Sequence, residues 1–281
     1  MRNQTVTNES ILRFGEFLRK EEKAEATCEK YIRDIRRFLR FLSGKFLKKE
    51  LAIEYKDALL SGGYSPRSVN SIIASLNAYF DFAGACECKL KTLKLQRQIY
   101  CPEEKELTRA EYVRLVQAAA RAGNERLNLI IQTICGTGIR VSELKFITAE
   151  AVRAGEAIVR CKGKTRAVFI VRALQKKLLS FMKREGISEG CVFVTRTKKP
   201  VCRTNVWKEM KALCKQAAVS PSKVFPHNLR HLFARTFYGI EKDIAKLADV
   251  LGHSSVDTTR IYIMTSGQEH RRRMEGMRLI I

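Results

Sequence analysis

The chain has 281 residues, enough for one large domain or two ordinary ones, and 45% of them are hydrophobic, which supplies a core for each and excludes a mostly disordered protein. Fifty-three Lys and Arg stand against 29 Asp and Glu, a net charge of +24 that is too large to be the incidental charge of a typical cytosolic enzyme. It points to a polyanionic partner, and both halves of the chain share the excess.

No apolar run approaches the ~18 residues of a membrane span, and Met1-Arg2-Asn3-Gln4-Thr5 is followed by no signal-peptide core. A soluble, cytoplasmic protein with no membrane partner is expected. Nine scattered cysteines suit buried free thiols in a reducing compartment, and the lone Cys86-x-Cys88 pair has no second pair to complete a metal site.

Helical periodicity runs through the first ninety residues: Ile11, Phe14, Phe17 and Leu18; then Tyr31, Ile35, Phe38, Leu39 and Leu42; then Leu47, Leu51, Tyr55 and Leu59. After the Ser-Gly-Gly break at 61–63, Ser65-Pro66 restarts a helix with an N-cap hydroxyl and a proline at the first position. Its stripe is Val69, Ile72, Ile73, Leu76, Tyr79 and Phe80, so a bundle of four helices closes near residue 84. The interleaved Lys and Arg are left for solvent or phosphate.

Residues 89–106 are polar and basic, lose the periodicity and contain Pro102, as a linker does. The expected division is a helical domain at 1–88, a linker at 89–106 and a second domain at 107–281. That second domain opens on a capping box, Thr108 to Glu111. A helix at about 125–135 ends at Gly136-Thr137-Gly138, where glycine allows a tight turn. Two β-branched runs, 157–161 and 167–171, flank Lys162-Gly163-Lys164-Thr165-Arg166 and predict a hairpin with a basic tip. Residues 191–195 suggest another short strand. Helices are expected over 207–217, 227–237 and 243–251.

All four histidines fall in the last 55 residues. His227 and His231 have the spacing of a zinc helix, but Asn228 stands where its glutamate belongs, so the metalloprotease pattern fails. His227 and Arg230 are three apart and can face one anion at a helix N-terminus. Leu251-Gly252-His253-Ser254-Ser255 places His253 on a turn, and Tyr262 follows two helical turns later. Arg140 lies just after the glycine turn, with Glu143 spaced to orient it.

G-T-G-I-R-V-S-E-L at 136–144, H-N-L-R-H at 227–231, L-G-H-S-S at 251–255 and a tyrosine nine residues after His253 closely resemble the tyrosine recombinase (phage integrase) family. The resemblance spans nearly the whole chain and is nearest to compact Xer-like and phage or transposon integrases. It implies a mainly α fold with a small β-sheet, in which a helical N-terminal core-binding bundle and a mixed α/β catalytic domain close around duplex DNA. Carried over by position, it makes Tyr262 the nucleophile, Arg140 and Arg230 a clamp on the scissile phosphate and Lys162 the general acid. His227 would handle the tyrosine proton and His253 hydrogen-bond the phosphate. The family's hairpin reads G-K-G where this chain has Cys161-Lys162-Gly163-Lys164, so Lys164 rivals Lys162.

The chemistry is self-consistent. An ordinary phenol is a weak nucleophile at neutral pH, and two guanidiniums can stabilise the added charge of a pentacoordinate phosphorus where another enzyme uses a metal. No cofactor and no metal are expected. The implied function is site-specific cutting and rejoining of DNA through a 3′-phosphotyrosine, with a homotetramer on two sites and the C-terminal tail exchanged in trans. The rivals are a type IB topoisomerase-like relaxing enzyme and a non-catalytic DNA-binding protein.

Overall fold

The computed structural model describes residues 6–95, 106–161, 163–263 and 267–277. The fold is mainly helical with one two-stranded antiparallel sheet, as expected, and divides into two compact units, Met1–Arg97 and Gln98–Ile281.

The first unit is a four-helix bundle: α1 (Asn8–Lys20), α2 (Glu25–Leu42), α3 (Lys49–Ser61) and α4 (Pro66–Phe82). Thr7 and Ser10 form a capping box at the start of α1, and Ser65 accepts from the Ser68 N–H ahead of Pro66 at the start of α4. The apolar stripes meet in a core of Phe14, Ile35, Phe38, Ile73, Leu76 and Phe80, each fully buried and worth about 1.5–3 kcal/mol relative to exposure. Leu47, read as part of the third stripe, lies outside α3. The left-handed Ser43 and Gly44 end α2, and the helix resumes only at Lys49. On α2, Arg33, Arg36 and Arg40 point outward opposite that core. Beyond α4, residues 89–95 lie along it: the Asn77 and Asn70 side-chain amides each exchange two hydrogen bonds with the backbone of Leu90 and Leu93, at 2.7–2.9 Å.

The second unit begins with α5 (Arg109–Arg121), capped by the expected Thr108–Glu111 box, and α6 (Glu125–Thr137). The latter buries Leu127, Leu129, Ile130, Ile131 and Ile134 and runs two residues further than its sequence suggests, to a left-handed Gly138. A 3-10 turn (Val141–Phe146) and α7 (Ala149–Ala154) lead into β1 (Glu156–Cys161) and β2 (Lys164–Phe169). The hairpin is tighter than predicted. Cys161 pairs with Lys164, so Thr165 and Arg166, read as part of the tip, belong to a strand.

Then come α8 (Arg172–Glu185), α9 (Arg203–Ala212), α10 (Cys214–Ala217), α11 (Pro226–Glu241), α12 (Ile244–Leu251), α13 (Val256–Ile263) and α14 (Gly267–Gly276). Two expectations are corrected. Residues 191–195 form only isolated bridges, because Cys191 pairs with Thr148 and Val194 with Pro200, leaving no continuous partner. The helix expected over 207–217 is two helices that begin at Arg203 and meet at Leu213. The seven cysteines whose side chains are described are free, though Cys86 and Cys202 are exposed rather than buried. No helix among the described residues is long and apolar enough to cross a membrane.

Candidate active site

The glycine turn after α6, the turn after α12 and the first two turns of α11 converge on one face of the second unit. Gly138 has φ +68°, and a Cβ there would lie 2.4 Å from Phe233 Cδ1 of α11. Only glycine lets the Arg140 turn approach α11 so closely. Gly252 likewise takes φ +66° to end α12, and the next amide, His253 N–H, donates to Ala248 O at 2.9 Å. At the other end of α12, Asp243 caps the Ala245 and Lys246 amides.

Arg230 is the centre of the cluster. It is 1% exposed, and its Nη1 donates to Gly138 O at 2.6 Å while Nη2 donates to Leu251 O at 2.8 Å and meets His253 Nε2 at 2.9 Å. Its Nε is buried with no partner. No described carboxylate forms an ion pair with it. Burial, then the charge of Arg140, pushes its pKa down to about 10. A buried guanidinium whose hydrogen bonds go to neutral groups, with one donor unused, is suited to an anionic ligand.

Arg140 is half-buried above it. Its backbone N–H and Nη1 donate to the two oxygens of Glu143 at 2.8 and 2.9 Å, which fulfils the orienting role expected of that glutamate. Glu143 is 1% exposed, and burial alone would raise its pKa. Hydrogen bonds from Arg166 and from the Arg140 amide outweigh burial and hold it below the usual glutamate value.

Tyr262, 7% exposed on α13, packs with Ala234, Leu247 and Leu251 and is ringed by imidazoles. Its ring centroid lies 4.3 Å from His231, 5.2 Å from His253 and 5.4 Å from His227, and the Arg230 guanidinium is 5.8 Å away. All three histidines are pushed toward the neutral form, His231 and His253 to about 4, by burial first and then by neighbouring positive charge. For His227, at the exposed rim, the charges after desolvation are those of Arg230, Arg203 and Arg140. Neutral imidazoles beside a phenol can accept its proton.

Five of the six predicted residues, Arg140, His227, Arg230, His253 and Tyr262, therefore lie in one cluster. Lys162 lies outside the described residues, as does the side chain of Lys164. Sequence reasoning missed three contributors. His231, set aside once the zinc pattern failed, stacks on Tyr262 at an interplanar angle of 24°. Thr259, fully buried, binds His253 Nδ1 at 2.8 Å. Arg166 joins Glu143 from the hairpin. Strand alternation carried the signal for Arg166, which shares a face of β2 with buried Val168.

The phage integrase family model matches residues 105–269, and that of the phage integrase N-terminal SAM-like domain matches residues 11–85. Tyrosine recombinase XerA of Thermococcus kodakarensis is 31% identical over 282 residues, covering 97% of this chain and 96% of its own. Among solved structures, a lambda integrase (75-356) dimer bound to a COC' core site matches with TM-score 0.75 at 18% identity, over 93% of this chain and 96% of that one. A lambda integrase tetramer bound to a Holliday junction matches with TM-score 0.72 at 19% identity, over 92% of this chain and 77% of that one. The fold, the motif residues brought together around Tyr262 and these likenesses agree: the chain belongs to the phage integrase family and is a tyrosine-type site-specific recombinase.

Proposed function

We propose that the protein cuts and rejoins duplex DNA through a 3′-phosphotyrosine at Tyr262, with no metal or nucleotide cofactor. The observation that carries this is Arg230, a buried guanidinium without a carboxylate partner and with an unused Nε, set 5.8 Å from the tyrosine ring. A scissile phosphate is an anion these donors can bind. Tyr262 Oη attacks phosphorus, the bond to the 5′ oxygen breaks, the phenolic proton passes to His227, and the 5′ oxygen leaves with a proton from Lys162. Attack by a partner strand's 5′ hydroxyl reverses the step, so the phosphodiester energy is conserved.

Arg140 and Arg230 stabilise the charge that develops on the non-bridging oxygens. Lys162 keeps first place over Lys164 because it precedes Gly163, as the family's lysine precedes its glycine. In the DNA-free protein His253 uses one nitrogen on Arg230 and the other on Thr259, so it must gain a proton or release a partner before it can donate to a phosphate.

Residues 1–88 serve as the core-type DNA-binding domain, 89–106 as the linker and 107–281 as the catalytic domain with its C-terminal tail helix. The outward arginines of α2 suit a phosphate backbone. Lambda integrase's dimer on a core site and tetramer on a Holliday junction support double-stranded DNA as the partner and a homotetramer on two sites. Met274 and Met277, exposed at 57% and 63%, suit a tail that docks on a neighbouring subunit in trans. Nicked duplexes from the protein's own genomic surroundings test the reading. Wild type should trap a covalent adduct on a denaturing gel and Tyr262→Phe should not; an adduct that persists in the variant refutes it.

A further inference from the structure

A single guanidinium ties three motif-bearing segments together. Arg166 stands on β2, paired across the hairpin with Val159. Its Nη1 and Nη2 donate to the two oxygens of Glu143 at 3.2 and 2.8 Å, and its Nε donates to Val250 O at 3.2 Å. Its stem runs against Gly252, where a Cβ would lie 2.8 Å from Arg166 Cδ. Glu143 receives Arg140 on its other side, and Gly252 precedes His253. The guanidinium is planar and its donors are fixed relative to one another, so seating it on Glu143 also sets its distance from the end of α12.

Two of the three segments have anchors of their own. The Arg140 turn is closed onto Glu143 by its own backbone and side chain, and the end of α12 is held by the His253 amide and by Arg230. The hairpin differs. Among the described residues it has no third strand, and on its outer face Ile158 and Phe169 are 48% and 72% exposed. Ala157 and Val168 bury its base, and Val159 with Arg166 opposite it are the last inward anchors toward the tip among the described side chains, Arg166 alone making polar contacts there. A two-stranded hairpin without such support is marginal.

We propose that Arg166 is a positioning residue that docks the β1–β2 hairpin onto the Arg140 and His253 turns and thereby sets where the hairpin lysine meets the leaving 5′ oxygen. The second half of this inference rests on the general-acid role proposed above; the first half does not.

The test uses Arg166→Met, which removes the fork and the charge, and Arg166→Lys, which keeps the charge alone. Hydrogen exchange of the amides at 156–169 in the DNA-free protein should accelerate by about 10-fold in the Met variant and less in the Lys variant, with the rest of the second unit unchanged. Cleavage of nicked DNA with an ordinary 5′ oxygen should fall about 10- to 100-fold at unchanged DNA binding, and a sulfur leaving group, which needs little protonation, should restore it to within about 3-fold.

Unchanged exchange, an equal defect on both leaving groups, or a Lys variant equal to wild type each overturns the proposal. If the Met variant does not fold, the Lys variant decides both readouts. Lys162→Ala run alongside separates the two readings: full activity on the oxygen substrate refutes the general-acid role, while the exchange result still decides whether Arg166 docks the hairpin.

Discussion

Arg230 Nη2 lies 2.9 Å from His253 Nε2, and this contact fixes the histidine tautomer. A guanidinium only donates, so Nε2 must accept, and the ring's proton sits on Nδ1 and is donated to Thr259 Oγ1 at 2.8 Å. A neutral His253 is thus built into the DNA-free site, and a protonated one would lose its bond to Arg230 and face a buried cation.

The consequence is a stability that declines in mild acid. The folded pKa of His231 and of His253 is lowered to about 4 from 6.5. Above 6.5 both states are neutral, whereas between 6.5 and about 4 the unfolded chain takes up protons that the folded one refuses, so stability falls as pH falls through that window. With solvent screening allowed for, the melting temperature of the second unit should drop by roughly 3 °C or more between pH 7 and pH 5 in the wild type. His231→Phe, which keeps the stack on Tyr262, should lose part of that drop in a calorimetric pH series. An identical pH dependence in the variant contradicts the assignment.

The glycine turn offers a sharper structural test. Gly138→Ala places a methyl 2.4 Å from Phe233 at a positive φ and should destabilise the second unit by about 2–4 kcal/mol. Gly136→Ala, two residues earlier in α6, meets nothing closer than 3.9 Å and should be neutral or stabilising by up to about 1 kcal/mol. Urea denaturation of the pair separates strain at the Arg140 turn from a general intolerance of the segment.

What the sequence reveals here follows from the range of the forces involved. Local chemistry is legible: Ser65-Pro66, the Thr108–Glu111 box, the left-handed Gly138 and the Asp243-capped helix are each written in a few adjacent residues. Arg140, His227, Arg230, His253 and Tyr262 could be read because each sits in a short motif. For Arg166 only its inward face was written in the strand alternation; its role was not, because its partners lie 23 and 84 residues away and its own segment reads as a basic loop. His231 was hidden by its likeness to a failed zinc pattern. The break between α9 and α10 and the lone bridges near Cys191 depend on tertiary partners that no local pattern encodes.

With Arg140 and Arg230 neutralising the phosphate as proposed, no metal is required and cleavage should continue in EDTA. Binding should be steeply salt-dependent for a chain of net charge +24, weakening by about 10³ or more between 50 and 200 mM salt. Loss of cleavage on chelation, restored by magnesium, contradicts the mechanism.

Removal of residues 274–281 takes away exposed Met274 and Met277. Single-site DNA binding should be unchanged, while synapsis and two-site strand exchange should fall by about 10-fold or more, read on native gels and in a two-site recombination assay. Full recombination by the truncated protein excludes tail exchange.

The most direct measurement is mass spectrometry of the covalent complex. A nicked duplex is cleaved, the complex is digested with protease and nuclease, and the modified peptide is sequenced. A single nucleotide joined through its 3′ phosphate to Tyr262 is expected, and no such peptide from Tyr262→Phe. A nucleotide on any other side chain, or a 5′ linkage to Tyr262, contradicts the mechanism.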